Sequence, residues 1–224
     1  MPRLPRVDVG GEIYHIINRA NARLPIFFKE EDYKLFESIL EEAQGKYDMR
    51  ILAYCLMPNH FHLILYPRND KDLQKFMQWV TLTHTQRWHI QNSTIGSGHL
   101  YQGRYKSFLI EKDRYLNAVI RYVERNPLRA KLVKKTENWG FSSLARRISN
   151  NPDKLNLLSS WPIPMPNNYL AFVNTALDSI EEKNIKSSIM KGRPYGSDMW
   201  SDQVIAKYDL YSSTREVGRP KNGT

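Results

Sequence analysis

In the segment Met57-Pro58-Asn59-His60-Phe61-His62-Leu63-Ile64-Leu65 an apolar run is broken by two histidines spaced two apart. On a strand, residues i and i+2 point to one face. His60 and His62 then present two imidazoles side by side, while Phe61, Leu63 and Leu65 enter the opposite layer. A pair of ring nitrogens is a platform for a divalent cation, incomplete until the chain adds another donor. Farther along, Arg121-Tyr122-Val123-Glu124-Arg125-Asn126-Pro127 sets Tyr122 and Asn126 at i and i+4, one helical turn apart on a shared face. If that face covers the histidines, the Asn126 amide oxygen is the third ligand and the Tyr122 hydroxyl lies beside the ion. Two imidazoles and an oxygen, with positions open to water and phosphate oxygens, suit Mg²⁺ or Mn²⁺; the imidazoles favour Mn²⁺ and leave Zn²⁺ as a competitor. Such an ion is a Lewis acid toward a phosphodiester, and Tyr122 is then the nucleophile of a covalent intermediate. Each piece also has an ordinary use: the histidine pair as structure, the tyrosine as a core aromatic, the asparagine before proline as a helix stop. Their combination with the charge pattern favours chemistry.

The formal charge of +10 is concentrated. Tyr101 to Arg147 carries a net +8 and Lys183 to Thr224 a net +4, so the rest of the chain is slightly acidic. Basic residues interleaved with Tyr101, Tyr105, Phe108, Tyr115 and Tyr122 form the footprint of a polyanion, most simply nucleic acid. Arg104, Lys106, Arg121, Arg125 and Arg129 are the expected phosphate contacts, the last three flanking Tyr122. The single cysteine, Cys55, sits in an apolar strand; it excludes an intramolecular disulfide and suits a reducing compartment. With no membrane-length apolar run and no secretory leader, the expectation is a cytoplasmic, nucleoid-associated protein with no membrane partner.

The elements that must position these groups read as an α+β fold. Ile13 to Asn18 predicts a strand, about Glu30 to Lys46 a helix with Tyr33, Phe36, Ile39, Leu40 and Ala43 on one stripe, and Arg50 to Leu56 and His60 to Tyr66 a hairpin. A second helix runs to about His89, capped by Asp70 or Asp72; a fourth strand covers Tyr105 to Ile110; and Asp113 caps a helix ending near Asn126 and Pro127. The order β-α-β-β-α-β-α is a ferredoxin-like, RRM-like plan: an antiparallel sheet with helices on one face. After Ser149 the composition shifts. Asn150-Asn151-Pro152 and Trp161-Pro162-Ile163-Pro164-Met165-Pro166 are linker-like, with helical patterns at Tyr169 to Ile180 and Asp198 to Tyr208. This divides the chain into a catalytic domain, 1–149, and a mainly helical, partly extended basic appendage, 150–224. The appendage repeats a tripeptide, Gly192-Arg193-Pro194 and Gly218-Arg219-Pro220, in which Arg193 and Arg219 are candidate minor-groove readers on proline-stiffened backbone.

The motifs Ala53-Tyr54-Cys55-Leu56-Met57-Pro58-Asn59-His60-Phe61-His62-Leu63, Tyr101-Gln102-Gly103-Arg104-Tyr105-Lys106-Ser107 and Arg121-Tyr122-Val123-Glu124-Arg125-Asn126-Pro127-Leu128-Arg129-Ala130, in that order, closely resemble the single-tyrosine HUH transposases, in particular the REP-associated tyrosine transposases. The resemblance runs from about Gly11 to Ser149. It matches His60-Phe61-His62 to the histidine pair and Tyr122 to the nucleophile, with Asn126 where insertion-sequence relatives usually carry a glutamine ligand. It implies a DNA strand transferase that recognises single-stranded DNA hairpins, cuts near the hairpin foot, and rejoins through a 5′-phosphotyrosine without ATP. Relatives work as monomers or as dimers, and both states stay open. Two rival readings also remain: a non-catalytic DNA- or RNA-binding regulator stacking bases on an RRM-like sheet, and a metal-dependent nuclease that uses water.

Overall fold

Alternation along four strands sorts the side chains of this protein into two layers, and both layers are covered. The computed structural model describes residues 6–149 and 155–215. Its elements are β1 (Ile13–Arg19), α1 (Glu30–Tyr47), β2 (Arg50–Met57), β3 (His60–Tyr66), α2 (Asp72–Gln91), β4 (Lys106–Ile110), α3 (Arg114–Glu124), α4 (Asn126–Arg129), α5 (Ser143–Ile148), α6 (Tyr169–Asn174), α7 (Ser179–Lys191) and α8 (Asp198–Lys207). The strands form one antiparallel sheet in the order β2-β3-β1-β4, the expected α+β, ferredoxin-like arrangement.

One face of the sheet buries Tyr14, Ile16, Tyr54, Leu56, Phe61, Leu63 and Leu65 against Phe36, Ile39 and Leu40 of α1 and Leu73, Phe76 and Val80 of α2. The other buries Ile13, Ala53, Cys55, Met57, Ile64 and Phe108 against Leu116, Val119, Ile120 and Val123 of α3. The expectation of helices on one face is thereby corrected: α1 and α2 take one side and α3 the other. The reason lies in the strands, which carry apolar residues at both parities and need two covering layers.

Local chemistry explains the element ends. Asp113 caps α3, its carboxylate accepting from the Tyr115 amide at 2.8 Å. The expected cap of α2 is corrected: Asp8 reaches across from the N-terminal segment to accept from Leu73 N (3.2 Å) and Gln74 N (2.8 Å), while Asp72 accepts from Asn69 N and Asp70 from Gly10 N. The β2–β3 hairpin turns at Pro58-Asn59, and this turn is fastened to the chain that leaves β1. The Pro58 carbonyl accepts from Ile26 N and Phe27 N, and the Asn59 carbonyl from Ala20 N. The end of the sheet that carries His60 is therefore tied down on two sides.

Chain beyond the division expected near residue 150 packs onto both sheet edges. On the β2 side, the Leu52 carbonyl accepts from Trp161 Nε1 at 2.9 Å and the Ile51 carbonyl from Ser159 N at 2.9 Å, and Leu157 is fully buried. On the β4 side, Tyr195 pairs in parallel with Ile110: its N–H donates to Leu109 O (2.8 Å) and its carbonyl accepts from Glu111 N (3.0 Å). The first Gly-Arg-Pro tripeptide makes this return. Gly192 closes α7 in the left-handed region, with φ of 72°; Pro194 prevents continuation and is buried; Arg193 is exposed. The second tripeptide, with Arg219, and the linker-like Asn150-Asn151-Pro152 lie outside the described residues. Among the described residues, no helix is long and apolar enough to cross a membrane.

Candidate active site

Cross-strand register assembles the site on the α3 face. Across the sheet the rows read Met57–His60–Arg19, then Cys55–His62–Ile17–Lys106, then Ala53–Ile64–His15–Phe108. Directly paired residues share a face, so His60 and His62 stand beside Arg19 and Lys106, with His15 one row behind. The two platform rings lie 5.0 Å apart, centroid to centroid, at 77°.

The hydrogen bonds fix which nitrogens face outward. Asn59 Nδ2 donates to the Arg23 carbonyl (3.0 Å), so its Oδ1 is the atom turned to His60 Nδ1, at 2.7 Å. An amide oxygen only accepts. His60 Nδ1 therefore carries the proton, and Nε2 is left with its lone pair. His62 Nδ1 is likewise engaged, 2.8 Å from His15 Nε2, which again leaves Nε2 as the open ring nitrogen. Burial pushes the His60 imidazole down to about 4, with Arg19 and Arg129 adding to the effect. It takes His62 well below the ordinary value, helped by the neighbouring His15 and His60. Both rings are neutral at physiological pH, as metal ligation requires.

Helix α3 brings Tyr122 over this platform, its ring 6.1 Å from that of His62 and nearly perpendicular, at 83°. The helix is held there by Glu124. This fully buried carboxyl accepts from Ser143 Oγ and from the Tyr169 hydroxyl, and burial raises its pKa in spite of those bonds. Ser143 Oγ also accepts from the Tyr54 amide of β2 at 2.9 Å. The nucleophile candidate thus sits on a helix fastened to the hairpin that carries the histidines.

Asn126 is beside Tyr122, as the i, i+4 spacing requires, but both ends of its amide are engaged. Nδ2 donates to the Tyr122 carbonyl at 3.1 Å, and Oδ1 accepts from Arg129 Nη2. Arg129 Nη1 also donates to the Tyr122 hydroxyl (3.1 Å) and to Glu182 Oε1 of α7 (3.0 Å). His60 and His62 fit a divalent ion as a two-nitrogen platform. Among the described residues, no cluster of three or more His, Cys, Asp or Glu could complete it. Asn126 Oδ1 keeps a second lone pair beside the bond it accepts from Arg129, so any ligation by it would share the oxygen with that guanidinium.

The expected DNA-contacting residues divide into two groups. Arg104, Lys106 and Arg193 are exposed. The arginines around Tyr122 are engaged by the appendage: Arg121 with Glu181 at 2.9 Å, Arg125 Nε with the Asn174 carbonyl at 3.3 Å, and Arg129 with Glu182. Two β1 residues of the site were not singled out in the sequence. His15 and Arg19 share parity with Ile13 and Ile17, and a polar residue in an apolar strand layer was the available signal. The Arg19 guanidinium has no hydrogen-bond or ion-pair partner among the described residues.

A four-stranded antiparallel sheet thus carries a histidine pair on the central β3, faced by a tyrosine from the helix that follows β4. Residues 9–126 match the family described as "Transposase IS200 like", and this chain belongs to that family. It is similar to a REP-associated tyrosine transposase of Haemophilus influenzae, 22% identical over 121 residues that cover 50% of this chain and 69% of that protein. A solved REP-associated tyrosine transposase bound to a REP hairpin superposes with a TM-score of 0.57 at 17% identity, over 80% of this chain and 100% of that one. A transposase crystal structure from Deinococcus radiodurans gives a TM-score of 0.40 at 18% identity, over 56% of this chain and 97% of that one. The protein is thus a transposase acting on DNA.

Proposed function

We propose that this transposase cuts and rejoins single-stranded DNA beside a folded hairpin through a covalent tyrosine intermediate. The observation that carries the reading is the placement of Tyr122 over His62, with Arg129 on its hydroxyl. The Tyr122 oxygen attacks the scissile phosphorus and gives up its proton. The bond from phosphorus to the 3′ oxygen breaks, and that oxygen leaves as a free 3′-hydroxyl. The product is a 5′-phosphotyrosine. Because the phosphodiester energy is retained, attack by another 3′-hydroxyl reverses the step without ATP.

His60 and His62 would hold the divalent metal through their Nε2 atoms, with Asn126 as a candidate third ligand and Mg²⁺ or Mn²⁺ as the ion. When bound, it would supply Lewis-acid polarisation of a phosphate oxygen. Arg129 places positive charge against the oxygen on which negative charge develops as the proton leaves. Arg19 and Lys106, on the same face as the histidines, are placed to take phosphate oxygens of the strand.

A hairpin substrate is supported by the relative solved with a REP hairpin. The rival binder that stacks bases on an open sheet is disfavoured, because α3 covers the second face. Incubation with a hairpin oligonucleotide and Mn²⁺ tests the reading: a denaturation-resistant protein–DNA adduct is expected. Cleavage without an adduct points to water as the nucleophile.

A further inference from the structure

We propose that His15 is a positioning residue for the histidine platform: it holds the His62 ring at Nδ1 and, as the acceptor of that hydrogen bond, leaves His62 Nε2 a bare donor for a divalent cation. The inference rests on the proposed function and adds to it a residue outside every motif that suggested it.

His15 occupies the centre of β1, with Ile64 and Phe108 as its cross-strand neighbours. It is fully buried, its ring 4.7 Å from that of Phe108 and tilted 31°. The other β1 residues buried on this face are Ile13 and Ile17. A leucine or phenylalanine would pack in this layer without placing polar atoms there. One ring nitrogen, Nδ1, is buried with no partner among the described residues; the other, Nε2, meets His62 Nδ1 at 2.8 Å. The one polar contact of this side chain is therefore to a platform histidine.

Neutral imidazole carries one N–H and one lone pair. Of the two nitrogens that face each other, one donates and the other accepts. If His62 Nδ1–H donates, His62 Nε2 is bare and His15 carries its proton on Nδ1. If His15 Nε2–H donates, His62 carries its proton on Nε2 and cannot ligate. The two arrangements differ by moving one proton within each ring, with no net uptake or release. His60 supplies a parallel: Asn59 Oδ1 can only accept, so it fixes the proton on His60 Nδ1 and leaves Nε2 bare. The assignment gives both platform rings the same outward-facing donor. Anchoring the distal nitrogen in this way is how outer-shell partners orient metal-binding histidines.

The test uses the full chain, Mn²⁺ alone as the probe, and no DNA. His15→Phe keeps the ring volume but removes the acceptor; His15→Gln returns a polar acceptor near the position of Nε2. Calorimetric titration should show Mn²⁺ affinity weakened about 10- to 100-fold in His15→Phe, with most of it recovered in His15→Gln. Wild-type affinity in His15→Phe would overturn the proposal. So would equal losses in both variants accompanied by equal falls in melting temperature, the pattern of a space-filling role. A second measurement needs no variant: the long-range ¹⁵N–¹H spectrum of the metal-free protein should show His62 protonated on Nδ1, and protonation on Nε2 would overturn the assignment. His60→Ala separates the two levels. If it binds Mn²⁺ as the wild type does, the platform itself fails; if it loses binding while His15→Phe does not, only the role of His15 fails.

Discussion

Arg129 donates from Nη1 to the Tyr122 hydroxyl at 3.1 Å, with its guanidinium carbon 4.5 Å from the centroid of the same ring. The same fork holds Asn126 Oδ1 and Glu182 Oε1. One side chain thereby joins the nucleophile candidate, the expected third ligand and the appendage helix α7. Glu182 in turn bonds Lys186 at 2.6 Å, and these partners hold its carboxyl below the usual range.

Glu182→Gln removes a carboxylate competing with DNA phosphate for Arg129. The pair is about one-third exposed, so the gain is modest: about fivefold tighter hairpin binding at low salt, or ~1 kcal/mol. Fluorescence anisotropy across a salt series measures it, and the advantage should shrink as salt rises. Weaker binding by the variant would mean that Glu182 presents Arg129 to the strand.

His60→Ala and His62→Ala should each abolish Mn²⁺-dependent cleavage while hairpin affinity falls less, because phosphates are held mainly by arginine and lysine. Asn126→Ala should be milder, within about tenfold of wild type, since water can occupy a vacated oxygen position. Cleavage assays paired with metal titration report on both. Unchanged metal affinity in the two histidine variants would make the pair structural.

The buried histidines set an acid limit on stability. His84, in the core with its Nδ1 2.6 Å from the Tyr101 hydroxyl, is lowered to about 3 by burial, and His15 to about 3 in the same way. In the unfolded chain a histidine takes up its proton near 6.5. Between about pH 6.5 and 3 the unfolded state binds more protons, so stability rises with pH in that window and falls as pH is lowered through it. Melting temperature should be nearly level from pH 8 to 7 and decline from about pH 6 downward. His84→Gln should flatten part of the decline, and identical profiles for variant and wild type would remove His84 as a cause.

A chain ending at residue 149 loses the Ser159 amide on Ile51 O, one of the two side-chain donors on Leu52 O (Trp161, with Arg147 remaining), the Tyr195 pairing on β4, and the buried Leu157 and Ile185. Removing a single buried leucine side chain commonly costs about 2–5 kcal/mol. We expect a markedly lower melting temperature, measured by calorimetry, with cleavage lost in proportion to folded protein. A truncated chain that melts as the full one does would show that residues 1–149 form a self-sufficient unit.

What was legible in the sequence followed from local geometry. Strand parity placed His60 and His62 on one face, and helical spacing placed Tyr122 beside Asn126; both relations span a few residues. The rest depended on contacts distant in the chain. His15 and Arg19 enter the site through the pairing of β1 with β3, which no local pattern encodes. The Asn126 amide oxygen is engaged by Arg129, itself held by a helix more than fifty residues away. The cap of α2 comes from Asp8, although Asp70 and Asp72 stand closer in sequence. The position of α3 on the second face was implicit in strands apolar at both parities, a signal visible in Ile51 to Leu56.

The central claim is that the Tyr122 oxygen becomes bonded to DNA. Wild type and Tyr122→Phe, each mixed with labelled hairpin DNA and Mn²⁺, are separated under denaturing conditions, and the adduct is digested and mapped by mass spectrometry. The account predicts a 5′-linked nucleotide on Tyr122 in the wild type, and no adduct or cleavage in Tyr122→Phe, whose hairpin affinity and melting temperature stay close to wild type. Cleavage by Tyr122→Phe at the wild-type rate, or an adduct mapped to another residue, would contradict it.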